Sequence, residues 1–124
     1  MRILLIDDSK TMRSIQKSVL AQLGHTDIME AADGQDALSK VGAFKPELIL
    51  CDWNMPNMNG LAFVRAYRLQ NKTTPVIMCT SEAEKSRVVD AIKAGVNNYV
   101  VKPFTPDVLS QRITETLAKA CAPA

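Results

Sequence analysis

The sequence offers little from which to build a cysteine or histidine site. Its three cysteines, Cys51, Cys79 and Cys121, are odd in number and show neither C-x-x-C nor metal-ligand spacing. We therefore expect reduced thiols, with Cys51 and Cys79 as small core residues and redox sensing as the less favoured alternative. His25, the one histidine, has no ligand partner at metal spacing and is predicted to be a solvated loop residue.

Long apolar runs and a strong charge bias are also missing. No stretch approaches the ~20 apolar residues of a membrane span, and the amino terminus lacks the apolar region and small-residue cleavage site of a secretory signal. Fifteen Lys and Arg residues against thirteen Asp and Glu residues give a net charge of +2, too small to indicate a nucleic acid or an anionic membrane as partner. We predict a soluble, monomeric, cytoplasmic protein.

The sequence does contain a regular alternation of apolar runs and amphipathic stretches. With 124 residues, 47% of them apolar, it has the size and composition of one globular domain over residues 1–124. Five runs are typical of strands: Arg2–Ile6, Asp27–Ala31, Leu48–Cys51, Pro75–Cys79 and Asn98–Val101.

Five helices are predicted from their caps and stop signals. Their expected spans are Ser9 to Gly24, Asp33 to about Val41, Gly60 to Leu69, Glu82 to Ala94, and Thr105 to Leu117. The fourth begins with a capping box of Ser81 and Glu84, and the tail from Ala118 is expected to add no structure. The first helix has a predicted buried stripe of Met12, Ile15, Val19 and Leu23.

Five strands alternating with five helices indicate an α/β fold with helices on both faces of a parallel sheet. Five strands suit the doubly wound, flavodoxin-like order 2-1-3-4-5, a three-layer sandwich. In such sheets, ligands bind beyond the carboxyl ends of the strands at the point where the strand order reverses, here between the first and third strands.

Polar side chains stand at those strand ends. Asp7 and Asp8 end the first strand, Asp52 the third, Thr80 the fourth and Lys102 the fifth, whereas the second, edge strand contributes none. Three crowded carboxylates suit a hard divalent cation, which indicates Mg²⁺. A carboxylate beside a cation, a lysine and a hydroxyl is arranged to attack phosphorus, with Asp52 as nucleophile. Asp7 or Asp8 taken alone is equally well explained as a helix-capping carboxylate.

These residues resemble a known family. Asp7-Asp8, the stretch Asp52-Trp53-Asn54-Met55-Pro56 with Met58-Asn59-Gly60, Thr80, Ala94-Gly95 and Lys102-Pro103-Phe104 are similar to the receiver domains of bacterial two-component response regulators. The similarity covers the whole chain and is greatest to the single-domain chemotaxis regulators, which have the strand order 2-1-3-4-5.

The resemblance implies a set of roles. Asp52 would be the phosphoacceptor for a histidine kinase, and Mg²⁺ would be held by Asp7, Asp8, Asp52 and the backbone carbonyl of Asn54. Thr80 and Lys102 would sense the phosphoryl group, and the Lys102–Pro103 peptide bond would be cis. The protein would be a signalling receiver that catalyses only its own phosphorylation and dephosphorylation.

The resemblance also implies an output surface on the fourth helix, fifth strand and fifth helix. Tyr99 would be the switch aromatic, although a half-buried rim tyrosine is the alternative. Lys85, Val88, Tyr99 and Thr105 match partner-contacting positions. Arg112 keeps a basic position there, but Glu115 replaces one, so that binding to the flagellar switch follows less directly than phosphorylation.

Other functions fit the residues less well. Within the receiver family, the chain would serve a phosphorelay or act as a phosphate sink if it does not regulate a flagellar motor. A phosphatase of the haloacid dehalogenase type needs a second carboxylate two residues after the nucleophile, where this chain has Asn54. A flavin module needs a phosphate-cradling loop after the first strand, where Asp7 and Asp8 would repel the phosphate. Trp53, directly after Asp52, is interpreted as a rim residue, with a core position as the alternative, and would serve as a reporter in either case.

Overall fold

A computed structural model describes residues 1–81 and 86–120 of the chain. The strands are β1 (Arg2–Ile6), β2 (Asp27–Ala31), β3 (Leu48–Asp52), β4 (Val76–Thr80) and β5 (Asn98–Val101). The helices are α1 (Lys10–Gln22), α2 (Gly34–Phe44), α3 (Gly60–Arg68), α4 (Val88–Ala94) and α5 (Pro106–Ala120).

The strands form one parallel sheet in the order β2-β1-β3-β4-β5, which confirms the predicted fold. The register places Ile6 beside Cys51, Asp52 beside Cys79 and Thr80 beside Val101. The carboxyl ends of β1, β3, β4 and β5 therefore meet at one edge of the sheet.

Each face of the sheet is covered by its own apolar layer. Leu4, Ile6 and Ile49 pack toward α2, α3 and α4, whereas their neighbours Leu5 and Leu50 pack toward α1 and α5. This alternation follows from the two-residue period of a strand. Because β1, β3 and β4 lie between both layers, their apolar side chains are almost completely buried, and each stabilises the fold by roughly 1.5–3 kcal/mol.

The predicted buried stripe of α1 is confirmed at Val19 and wrong at Ile15 and Leu23, while Met12 is half-buried. The buried residues of α1 are Gln16, Val19 and Leu20, whereas Ile15 is 40% and Leu23 37% exposed. Spacing alone does not distinguish two neighbouring stripes on one helix. The observed rotation brings two basic side chains of α1 to Glu30 on β2, with Arg13 Nε at 2.9 Å and Lys17 Nζ at 3.1 Å from its carboxylate.

Several helix ends differ from the predicted ones. The first and second helices are capped as predicted, by Ser9 and Asp33. However, α2 continues through Gly42 to Phe44 and ends at Lys45 in the left-handed region, because a glycine inside a helix costs only about 1 kcal/mol. Helix α5 extends to Ala120, three residues into the predicted unstructured tail.

The fourth helix is described from Val88 instead of the predicted start at Glu82. Its predicted capping box lies partly outside the described residues, since Glu84 falls in the gap 82–85. Within the described ranges 1–81 and 86–120, none of the helices combines the length and the apolar character needed to cross a bilayer.

Candidate functional site

Three carboxylates meet at the carboxyl edge of the sheet. Asp7 and Asp8 follow β1 directly and Asp52 is the last residue of β3, so that the pairing of β1 with β3 places them side by side. One ligand oxygen of each lies within 4.8 Å of the others. Asp7 is completely buried and Asp52 is 7% exposed, whereas Asp8 is open to solvent.

Lys102 places its ammonium between two of these carboxylates. Its Nζ lies 2.9 Å from Asp52 Oδ1 and 3.3 Å from Asp7 Oδ2. Backbone pairing brings it there, because Lys102 directly follows β5 and its amide donates to the Thr80 carbonyl at 2.6 Å. The Lys102–Pro103 peptide bond is cis, in agreement with the resemblance.

One ammonium does not balance three carboxylates. Burial raises the pKa of the Asp52 carboxyl above its usual range, an effect that the hydrogen bond from Lys102 opposes and the charge of Asp7 reinforces. Burial alone would lower the pKa of the Lys102 ammonium, but its hydrogen bond to Asp52 and the two carboxylate charges outweigh burial and raise it. The three carboxylates therefore carry more negative charge than the Lys102 ammonium neutralises.

The donor set fits a hard divalent cation. Asp7, Asp8 and Asp52 offer only oxygen ligands, which Mg²⁺ prefers, and the exposure of Asp8 leaves one side open to water and to a phosphate oxygen. Asn54 is exposed in the loop two residues after Asp52, in keeping with a ligand that would act through its backbone carbonyl.

The Thr80 hydroxyl is completely buried at the end of β4, and its Oγ1 has no hydrogen-bond partner among the described residues. A buried hydroxyl without a partner costs roughly 1–3 kcal/mol. An oxygen atom of a group bound at the neighbouring Asp52 would supply the missing partner. A role in binding such a group would therefore explain why this hydroxyl is buried.

Arg13 and Glu30 support Asp7, and sequence reasoning missed both. The Arg13 guanidinium donates to the Asp7 carbonyl and to Glu30 Oε1, while the Ser9 amide donates to Asp7 Oδ1 at 2.8 Å. The edge strand β2 therefore contributes to the site indirectly, through Glu30. One feature of the sequence could have indicated the role of Arg13. It lies near the amino end of a helix, where the helix dipole disfavours a positive charge.

Trp53 is a core residue, so the alternative to the rim position is the correct one. It is 2% exposed and its amide donates to the Cys79 carbonyl at 3.1 Å. The Arg87 guanidinium covers the ring, 5.2 Å from its centroid. Trp53 directly follows β3. Like Cys51 of that strand, it packs in the apolar layer beneath α3.

Three of the four predicted output residues, Val88, Tyr99 and Thr105, lie within the described part of the chain. Val88 and Tyr99 are half-buried, Thr105 is exposed, and the Arg112 guanidinium lies 5.6 Å from the centroid of the Tyr99 ring. Glu115 forms an ion pair of 3.9 Å with Arg112. Lys85 lies outside the described residues.

Comparison with known proteins identifies the family. The family model of the response regulator receiver domain matches residues 3–114. The chain is 48% identical to chemotaxis protein CheY1 of Helicobacter pylori, over 94% of this chain and 97% of that protein. It is also 48% identical to the chemotaxis protein CheY homolog of Campylobacter jejuni, over 94% and 92%.

The structure agrees with this assignment. Its fold matches the structure of chemotaxis response regulator CheY4 of Vibrio cholerae with a TM-score of 0.86 and 33% identity, over 93% of this chain and 97% of that chain. A putative response regulator from Chloroflexus aurantiacus gives a TM-score of 0.86 at 31% identity, over 94% and 97%. The chain belongs to the response regulator receiver domain family.

Proposed function

We propose that this receiver domain is a phosphorylation-activated switch of the chemotaxis type in which Asp52 accepts a phosphoryl group from a histidine kinase. The observation that carries the proposal is the convergence of Asp7, Asp8 and Asp52 at one edge of the sheet, where the Lys102 ammonium contacts Asp7 and Asp52. The 48% identity to chemotaxis proteins of H. pylori and C. jejuni supports the chemotaxis role.

In the proposed transfer, a carboxylate oxygen of Asp52 attacks the phosphorus atom of a phosphohistidine. An O–P bond forms while the N–P bond breaks, and the electron pair of the N–P bond stays on the imidazole nitrogen, which takes a proton from solvent. The product is an acyl phosphate on Asp52. The Thr80 hydroxyl is less accessible to a phosphodonor than Asp52, because Thr80 is completely buried whereas Asp52 is 7% exposed.

Asp7, Asp8, Asp52 and the Asn54 carbonyl would hold Mg²⁺, which supplies positive charge to the phosphoryl oxygens when bound. Lys102 is already within hydrogen-bonding distance of Asp52 and would donate to a phosphoryl oxygen. Charge-assisted hydrogen bonds of this kind are roughly twice as strong as neutral ones. The hydrogen bond from Lys102 would therefore stabilise the phosphorylated state.

Thr80 would couple the phosphoryl group to the output surface. Its hydroxyl, which has no partner within residues 1–81 and 86–120, would donate a hydrogen bond to a phosphoryl oxygen, and this would favour a shift of Thr80 toward Asp52. That shift would vacate space for the half-buried Tyr99 to turn inward and would change partner binding at Val88, Tyr99 and Thr105. The partner we propose is a flagellar switch protein, and the cell compartment is the cytoplasm.

A ligand titration tests the switch. Mg²⁺ and then beryllofluoride, a phosphoryl mimic, are added while the fluorescence of Trp53 and the NMR signals of Tyr99 are recorded. We expect a response of Trp53 to the metal and a shift of Tyr99 only with the mimic. An Asp52→Asn variant should lose the response to the mimic, and a Tyr99 signal that ignores the mimic would contradict the switch.

A pull-down tests the partner. The mimic-bound protein should retain flagellar switch protein and the untreated protein should not. Equal retention of both forms, or of neither, would contradict the flagellar role and would favour a phosphorelay or phosphate-sink role for the same site.

A further inference from the structure

The loop between β3 and α3, residues 53–59, is held at both ends. The Trp53 amide donates to the Cys79 carbonyl at 3.1 Å, and the Gly60 amide donates to the Trp53 carbonyl at 2.9 Å. Residues 54–56 project between these points and include Asn54, whose carbonyl belongs to the proposed metal site. Met55 packs against the apolar layer that contains Leu4 and Ile6, and one further contact joins the far side of the loop to the rest of the fold.

That contact is made with the amino end of α2. The Asn57 side-chain amide donates to Asp33 Oδ2 at 2.8 Å, and the Gly34 amide donates to the Met58 carbonyl at 3.2 Å. A Cβ atom on Gly34 would lie 2.7–2.9 Å from atoms of Met58, so the close approach requires glycine. The loop is thus seated on the first turn of α2 by two hydrogen bonds and by close packing.

Asp33 serves the helix and the loop at the same time. Its Oδ1 accepts the amide of Asp36 at 2.8 Å and caps α2, while its Oδ2 accepts the Asn57 amide. The bond from the Asp36 amide and then the bond from Asn57 lower the pKa of the Asp33 carboxyl, as expected for a carboxylate that accepts donors through both oxygens.

Asn57 suits this position in two respects. Its φ of 66° lies in the left-handed region, which only glycine, asparagine and aspartate adopt readily. Glycine would have no donor for Asp33, and aspartate would place a second carboxylate against it. Asparagine combines the backbone conformation with an amide donor.

We infer that the Asp33–Asn57 pair is an anchor that orients the loop of residues 53–59 and so positions the Asn54 carbonyl for Mg²⁺ binding. Asp33 and Asn57 are positioning residues, since their side chains bond to each other and Asp33 is not part of the acidic cluster of Asp7, Asp8 and Asp52. This inference rests on the proposed function and adds to it the residues that set the affinity of the metal site.

The test first disrupts the pair with two Asn57 variants and then exchanges its two side chains in a double variant. Asn57→Gly keeps the backbone conformation and removes the donor, and Asn57→Asp replaces the hydrogen bond by repulsion. Both should weaken the affinity for Mg²⁺ by about tenfold, the low end of what supporting partners of metal ligands contribute. The double variant Asp33→Asn, Asn57→Asp restores one amide and one carboxylate in exchanged positions and should recover most of the lost affinity.

Mg²⁺ is titrated into metal-free protein, with Trp53 fluorescence and calorimetry as readouts, and urea unfolding of the metal-free forms measures stability. The matched control is Asn98→Ala, which removes a side-chain bond of 3.1 Å to Thr116 at the opposite end of the sheet and should leave the Mg²⁺ affinity unchanged.

Three outcomes would overturn the anchor. The first is wild-type Mg²⁺ affinity in both Asn57 variants. The second is a loss that the double variant does not recover, because the loss would then not depend on the pair. The third is a loss of stability alone, which would make the pair merely structural. If the wild-type protein itself does not bind Mg²⁺, the proposed function fails together with the anchor.

Discussion

Removal of one carboxylate from the acidic cluster should stabilise the metal-free protein. Asp8→Asn keeps the shape of the side chain and removes one negative charge. The Asp8 ligand oxygen lies within 4.8 Å of those of Asp7 and Asp52. At that distance two unit charges repel by about 3–4 kcal/mol with an effective dielectric constant near 20.

Two effects reduce this repulsion. Lys102 offsets part of the negative charge through its contacts of 2.9 Å and 3.3 Å to Asp52 and Asp7. In addition, Asp8 is exposed, so solvent and salt screen its charge. After these discounts we expect Asp8→Asn to raise the free energy of unfolding of the metal-free protein by about 1–2 kcal/mol at neutral pH and low salt.

The same substitution should weaken Mg²⁺ binding by at least about tenfold, since an amide oxygen replaces a charged ligand. Urea unfolding in EDTA and in saturating Mg²⁺ measures both effects. The variant should be more stable than wild type in EDTA, and this advantage should shrink or reverse in Mg²⁺. An unfolding free energy that falls or stays unchanged in EDTA would contradict the predicted repulsion, and unaltered Mg²⁺ affinity would show that Asp8 is not a metal ligand.

Three further predictions concern Lys102, Glu30 and Cys79. Lys102→Ala should still accept a phosphoryl group but should weaken the mimic-induced shift at Tyr99, measured by NMR, because one charge partner of the phosphoryl group is lost; an unchanged shift would contradict this. Burial opposes ionisation of Glu30, but hydrogen bonds from Lys17 and Arg13 outweigh it and lower the pKa of that carboxyl below its ordinary value of 4.5. Its contribution, about 0.5–1 kcal/mol for so exposed a pair, is therefore present above pH ~4.5 and lost as the pH falls through the lowered pKa. The stability difference between wild type and Glu30→Gln should vanish in acid, and a difference that persists at pH ~2 would argue against the ion pairs. Burial raises the pKa of the Cys79 thiol to about 12, so peptide mapping should find Cys79 unalkylated at pH ~8 in the native protein and alkylated after unfolding; rapid native alkylation would show that β4 opens readily.

The fold could be predicted because its signals are local. The apolar runs of β1, β3 and β4 are buried on both faces of the sheet, as continuous runs predict. Ser9 and Asp33 cap their helices through the side-chain bonds that their residue types favour. The strand order then brought Asp7, Asp8, Asp52 and Lys102 to one edge.

The remaining features depend on contacts between residues distant in the sequence. The rotation of α1 buries Val19 and Leu20 and places Arg13 and Lys17 beside Glu30, and helix periodicity alone does not specify this rotation. Trp53 follows a polar residue and precedes a turn, yet it is buried because β3 continues its course beneath α3. The Asp33–Asn57 bond joins residues 24 positions apart and has no local signal beyond two residues suited to turns.

The most direct test of the account is the mass of the protein after incubation with Mg²⁺ and acetyl phosphate. We predict that the mass increases by that of one phosphoryl group and that peptide mapping locates this group on Asp52. The increase should be absent in EDTA and absent in Asp52→Asn. No adduct on the wild-type protein, or an adduct of equal amount in Asp52→Asn, would contradict the claim that Asp52 is the phosphoacceptor.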